Sequence, residues 1–264
     1  MGVNMKAGVV YNASTETLPK EYIHERGNAS CFQLLTSGPY AEAITVLEIH
    51  LTGDTPAVLS DARDTLIFVR EGSATLTIDG DKGHHEKLMD KGSAALVTSG
   101  ASFTWSNGAG LKAVEISIPD RTNPYAKKMS ADAESYIPFV HQGEFDKGKA
   151  TGNREFEVLY GTKNGSSGAT MFIGFIPPSG APLHYHLYDE VCHIVSGGGE
   201  LEVEGELQEL LPGSTFMVSP RLLHSVRNSR NEDLWILGTF RPPGSPAAAF
   251  YPDGTPAPGY NGVD

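Results

Sequence analysis

Basic side chains are scarce in this 264-residue chain: 20 Lys and Arg stand against 32 Asp and Glu, a formal charge of −12. Binding to nucleic acid or to an anionic membrane surface needs basic patches, so neither is an expected partner. Cysteine is scarcer still. Cys31 and Cys192 sit far apart in apolar stretches; they could pair, but two buried free thiols are the expectation. No apolar run reaches the roughly 18 residues of a membrane span. Met1–Lys20 lacks the basic-then-apolar pattern of an export signal, and a cytoplasmic protein is expected. Helical periodicity is rare, which argues against an α-helical architecture.

What the chain has in quantity is punctuation. Its 30 glycines and 17 prolines recur between short apolar or alternating runs, the pattern of many short strands. The expected strands in the first half are Ile44–Leu51, Leu66–Arg70, Ala74–Ile78, Ala94–Thr98 and Leu111–Ile118. In the second half they are Glu157–Tyr160, Thr170–Ile176, Val191–Val195, Glu200–Val203, Ser214–Val218 and Leu234–Phe240. Pro119–Lys147 is polar and weakly patterned, with a short helix expected near Pro124–Glu134. Arg241–Asp264 carries six prolines and reads as an extended tail on the surface of a domain or of a partner subunit.

An internal repeat organises these strands. Asp64-Thr65-Leu66-Ile67-Phe68-Val69-Arg70-Glu71-Gly72 aligns with Asp189-Glu190-Val191-Cys192-His193-Ile194-Val195-Ser196-Gly197, at an offset of 125. Gly92-Ser93 aligns with Gly213-Ser214 at an offset of 121, and the same steps onward place Phe103 opposite His224 and Asn107 opposite Asn228. One hairpin loop of different length explains the drift. Two copies of one β-domain follow: 1–120, a linker at 121–150, 151–243, and the tail at 244–264.

The second copy holds His184-Tyr185-His186-Leu187-Tyr188-Asp189-Glu190 and, thirty-four residues after Glu190, His224. On extended backbone residues i and i+2 share a face, so His184 and His186 project together and Tyr185 projects away. Glu190 opens the next strand after a tight turn, and His224 follows the turn Ser219-Pro220-Arg221. Three imidazoles and one carboxylate on one inner wall make a ligand set for a divalent transition metal; Mn, Fe, Ni and Cu all suit it. Burying these groups without a metal leaves polar atoms in need of partners.

The spacing HxHxxxE, six residues, Gly197, then Gly213, ten residues, His224, three residues, Asn228 resembles the paired motifs of the cupin superfamily. Residue by residue, His184, His186, Glu190 and His224 match that superfamily's metal ligands. The resemblance implies an all-β bicupin, two tandem jelly-roll barrels with few short helices and one metal per chain, in the C-terminal barrel. The pattern departs at the rim, where Ser219 and Arg221 flank Pro220, and before His184, where Pro177, Pro178 and Gly180 crowd. In the first copy Leu59, Asp61, Thr65 and Phe103 stand at the four ligand positions, so that barrel is expected to be metal-free. His84-His85 reads as an exposed hairpin, and His24, His50, His141 and His193 as surface or core residues.

Strand parity adds the pocket. If Glu190 points inward, so do Cys192 and Ile194, while His193 points out. Phe216, Val218 and Trp235, with Met171 or Phe172, are candidate apolar walls, and Tyr188 and Arg221 are candidate polar contacts to substrate. Four protein ligands on a six-coordinate metal leave two adjacent open positions, and one glutamate against a divalent ion leaves a net positive centre that favours anionic oxygen donors. The expected function is a metal-dependent dioxygenase or oxidoreductase acting on a small anionic or enolate-forming molecule. The alternatives are a Mn-dependent hydrolase or decarboxylase, similar to the ureidoglycine aminohydrolase type of bicupin, and a non-catalytic metal- or ligand-binding protein. A small-molecule substrate and a homodimer are the expected partners.

Overall fold

Runs of β-branched and aromatic residues cut by Gly, Pro or Asp favour extended pairing over helix. In the computed structural model, which describes residues 3–12, 23–36, 44–119 and 131–257, they form sheets of ten, seven and four strands. Among the described residues the one helical turn is the 3-10 segment Thr162–Asn164. Thr170–Ile176 and Ser214–Val218 have the expected bounds. Leu66–Arg70 and Ala74–Ile78 are instead parts of one long strand, Arg63–Gly80, and Leu111–Ile118 is the end of another, Ser102–Pro119. Residues 124–130 of the expected helix lie outside the described residues, and Ala131–Glu134 is irregular.

The repeat is visible in the register. Thr65 pairs with Val97 and Leu66 with Leu96; at the same offsets Glu190 pairs with Val218 and Val191 with Met217. The two larger sheets run in the same order. The first is Ala29–Thr36, Thr45–Leu51, Ser102–Pro119, Arg63–Gly80, Ser93–Val97, and the second is Glu155–Tyr160, Thr170–Ile176, Leu234–Arg241, Asp189–Ser196, Ser214–Val218. Gly72 and Gly197 end the aligned blocks at φ 71° and 76°. A Cβ there would stand 2.5 Å from the Gly110 carbonyl oxygen and 2.4 Å from that of Asp233, so both positions require glycine.

Each sheet gains an edge strand from elsewhere in the chain. Phe139–His141, from the stretch read as a linker, pairs with Ser93–Val97, and Tyr11–Asn12 pairs with Ser214–Val218 of the second sheet. The first 120 residues are therefore not confined to the first sheet.

The apolar run Leu66-Ile67-Phe68-Val69 is continuous because its strand is covered on both faces. Leu66 and Phe68 enter a core shared between the halves with Tyr160, Met171, Met217 and Leu237, while Ile67 and Val69 fill the first barrel. Ile194, Phe216, Val218 and Ile236 fill the second. Cys31 and Cys192 are buried free thiols, one in each barrel's core.

A buried polar bridge joins the halves. Arg70 donates from Nη2 to Glu48 Oε1 at 3.1 Å and from Nη1 to His193 Nε2 at 3.1 Å. Because the guanidinium only donates, His193 carries its proton on Nδ1 and gives it to Thr215 Oγ1 at 2.8 Å. His50 Nε2 meets the same Glu48 oxygen at 3.0 Å. Burial pushes the His193 pKa down to about 4.

Candidate metal centre

His184 and His224 face each other across an isolated antiparallel bridge, each N–H donating to the other's carbonyl at 3.0 and 2.9 Å. Tyr185 turns away, as the parity requires, and stacks on Phe250 with ring centres 5.5 Å apart. One ring nitrogen from each of His184, His186 and His224 lies within 4.8 Å of the others, and all three residues are buried. Each Nδ1 donates to a backbone carbonyl: His184 to Pro182 at 2.8 Å, His186 to Ala248 at 3.1 Å, His224 to Leu222 at 3.0 Å. A neutral imidazole has one N–H; with it committed to a carbonyl, the Nε2 lone pair is left for the centre. Burial is the main cause that holds the imidazoles of His184 and His186 well below their ordinary pKa and His224 at about 4, so all three are neutral near pH 7.

Glu190 borders this cluster without joining it: Oε2 stands 3.6 Å from His186 Nε2. Burial raises its carboxyl to about 7, and the Cys192 thiol donates a hydrogen bond to it. Gly238 on the adjacent strand leaves room beside it, since a Cβ there would stand 2.2 Å from the Phe172 ring and 3.0 Å from Glu190 Oε1.

These side chains line a cavity of about 60 Å³, with Tyr188, Cys192, Phe172, Phe216 and Ile236 among its walls. Tyr188 contributes its ring rather than its hydroxyl: it stacks between His186 at 4.5 Å and Phe240 at 4.0 Å. Three expected contacts are corrected. Trp235 packs edge-on against Phe175 at 5.2 Å, toward the shared core. The reason is register: Glu190 pairs with Phe240 and Cys192 with Gly238, so even-numbered residues of Leu234–Arg241 share the cavity face. Arg221 is exposed at φ 67°, and only its backbone serves the site, donating to the His186 carbonyl at 2.8 Å. Val218 belongs to the second barrel's core and does not line the cavity, and of the alternatives Met171 and Phe172 it is Phe172 that lines it.

The tail is the larger correction. Residues 252–256 are exposed, as a surface tail would be, but Pro246, Ala247 and Ala249 wall the cavity, and Ala248 supplies the carbonyl that orients His186. Tyr185 and Phe250 exchange backbone hydrogen bonds, both at 2.9 Å, that pin this strap down. Residues 258–264 lie outside the described residues.

One residue that sequence reasoning passed over is Arg154, just before the strand Glu155–Tyr160. Its Nε donates to the Thr151 carbonyl at 2.9 Å, and its guanidinium lines the cavity, where its charge adds to the cost of protonating the three histidines. Among the described residues no carboxylate lies within ion-pair distance of it. A lone Arg in Thr151-Gly152-Asn153-Arg154 carries no motif, and only chain closure reveals its place.

In the first barrel Leu59, Asp61, Thr65 and Phe103 do share one cleft, of about 160 Å³, but its centre is a bidentate pair of Arg26 with Glu115 at 2.9 and 2.6 Å. Among the described residues the triad is the one cluster suited to a metal. His84 is exposed beside Asp79, as read from its hairpin position.

A neutral, preoriented imidazole triad with a cation and an adjacent carboxyl can hold a metal ion and an anion together. Comparison with known proteins agrees on the architecture. Residues 172–239 match the family model described as the cupin domain. That segment is a cupin domain. No curated protein matches it. Among solved structures, this cupin resembles the oxalate decarboxylase of Lactobacillus farciminis in its formate complex, with a TM-score of 0.65 and 10% identity over 90% of this chain and 87% of that one. It resembles AerE of Microcystis aeruginosa at 0.64 and 11%, over 83% and 95%. A third is the oxalate decarboxylase of Bacillus subtilis, a protein with Mn(II) centres, at 0.64 and 14%, over 90% and 78%. At these identities the likeness speaks for the shared fold of the two cupin barrels.

Proposed function

We propose that this cupin is a metal-dependent enzyme in which His184, His186, Glu190 and His224 hold one divalent transition metal and a small anionic or enolate-forming molecule reacts beside it. The observation that carries this reading is the triad itself: three buried imidazoles, each with Nδ1–H tied to a carbonyl, converging within 4.8 Å. A metal supplies Lewis acidity and, if redox-active, access to dioxygen chemistry; oxidation of the bound molecule is the reaction class we favour.

The chain's own residues do the rest. Arg154 draws the anion into the cavity and neutralises its charge. Tyr188, Phe216 and Ile236 exclude water around it. Glu190, 3.6 Å from His186, completes the ligand set as a carboxylate. Its place outside the histidine cluster, with burial raising its carboxyl to about 7, supports a second reading, Mn-dependent decarboxylation or hydrolysis, in which the three histidines alone hold the ion and Glu190 is the acid–base group; the likeness to oxalate decarboxylases lends it further support.

The test is an oxygen electrode run beside CO₂ and ammonia detection, on metal-loaded protein with a panel of diketones, catechols and 2-oxo acids. Oxygen uptake with one of them supports the oxidative reading. CO₂ or ammonia release without uptake supports the second, and silence on both counts across the panel contradicts the enzyme assignment.

A further inference from the structure

Next to the histidine cavity lies a much larger cleft, about 660 Å³ against about 60 Å³. Phe156 and Pro246 line both, so a single layer of side chains divides them. The outer cleft is mainly apolar. Ile137, Phe145, Val158 and Pro243 form its surface, with Asp146 and Lys163 among its polar groups. Ile137 and Phe145 are 38% and 36% exposed, an arrangement that an unliganded core would avoid. The inner cavity has room for a carboxylate-sized group and little more, so the rest of any larger molecule bound there must leave it. The partition nearest the larger space is the Phe156 ring, half-buried at the edge of its strand and touching Phe172 edge-on at 6.3 Å.

We infer that the two spaces are one divided binding site. The anionic head of the substrate lies by Arg154 and the histidines, and its apolar body passes Phe156 and Pro246 into the outer cleft. The substrate class is then an organic acid with an aliphatic or aromatic body, not a small diacid that fits the inner cavity alone. The inference rests on the anion-binding role proposed above for the inner cavity. Gly244, Ser245 and Pro246 belong to the strap whose Ala248 carbonyl orients His186, so the body of the substrate rests on the same segment that sets a metal ligand.

The experiment is calorimetric titration of the full-length, metal-loaded protein with straight-chain carboxylates from acetate to octanoate. Affinity should rise by about fourfold for each added CH₂ that the cleft buries. In Phe145→Asp, which places a charge at a partly exposed position of the cleft, the ratio of octanoate to acetate affinity should fall at least tenfold; Val158→Trp, which fills the cleft, should do the same. Acetate binding that is lost in Arg154→Gln, together with an affinity flat in chain length, would overturn the two-chamber inference and leave the anion-binding reading standing. If no carboxylate binds at any length, the anion-binding reading fails and the inference falls with it.

Discussion

Each ligand-candidate histidine is set by a hydrogen bond on its far side. The carbonyls of Pro182, Leu222 and Ala248 accept only, so each imidazole must donate from Nδ1 and leave Nε2 for the centre. Arg154 adds the one cavity cation without a described carboxylate partner. Charge-assisted hydrogen bonds of this kind contribute about 1.5–3 kcal/mol. Arg154→Gln should therefore weaken anion binding by about ten- to a hundredfold, with Arg154→Lys between it and wild type and metal content unaltered in both. Titration of each variant with acetate, beside elemental analysis, checks this; a variant that also loses its metal would show that Arg154 holds the site together instead.

At the scale of elements, the centre depends on pieces brought from far along the chain. The strap at 244–257 is held by Tyr185–Phe250 stacking and by the paired backbone hydrogen bonds of those residues. Phe250→Ala should loosen it and, through the Ala248 carbonyl, lower metal affinity by about 10–100-fold while the barrel stays folded; competition with a chelator measures the first and circular dichroism the second. This division between local and distant contributions explains what the sequence made legible. The convergence of His184 and His186 was readable because strand parity is local, and that of His224 because the repeat carries its spacing; Glu190 stands beside them, bordering the cluster. Cys192 and Phe216 followed from the same parity. Trp235 was assigned to the wrong face because the register between two strands is set by their pairing, not by either strand alone. Arg154 and Ala248 left no trace, the one a lone charge in a turn, the other acting through a carbonyl that every residue possesses.

For the molecule as a whole, the two barrels are joined by an apolar core and by the Glu48–Arg70–His193 bridge. Arg70→Ala leaves Glu48 buried without its guanidinium partner, and the expected loss is about 3–5 kcal/mol in denaturant unfolding; a change under 1 kcal/mol would mean water replaces the guanidinium. The same burial sets the response to acid. His184, His186, His193 and His224 all have folded pKa values below the ordinary 6.5, His193 and His224 at about 4. Between pH 6.5 and about 4 the unfolded chain takes up protons that the folded chain refuses, so stability falls as pH falls through that window. Asp189 and Glu190, raised by burial to about 6 and about 7, act in the opposite sense. Four imidazoles against two carboxyls leave the histidine trend in control, and the melting temperature of the metal-free protein should drop across the window; a rise would show that the carboxyls dominate. The repeat made the paired architecture readable from Asp64 and Asp189 onward, whereas the exchanged edge strands Tyr11–Asn12 and Phe139–His141 are too short and too remote from their partners to be seen in sequence. The central claim is that the triad binds a metal, and elemental analysis of the purified wild type beside His184→Ala, His186→Ala and His224→Ala tests it most directly. About one equivalent of a divalent transition metal is expected in the wild type and little or none in each variant; equal metal content in all four proteins, or none in the wild type after incubation with Mn, Fe, Ni or Cu, would contradict metal binding by the triad.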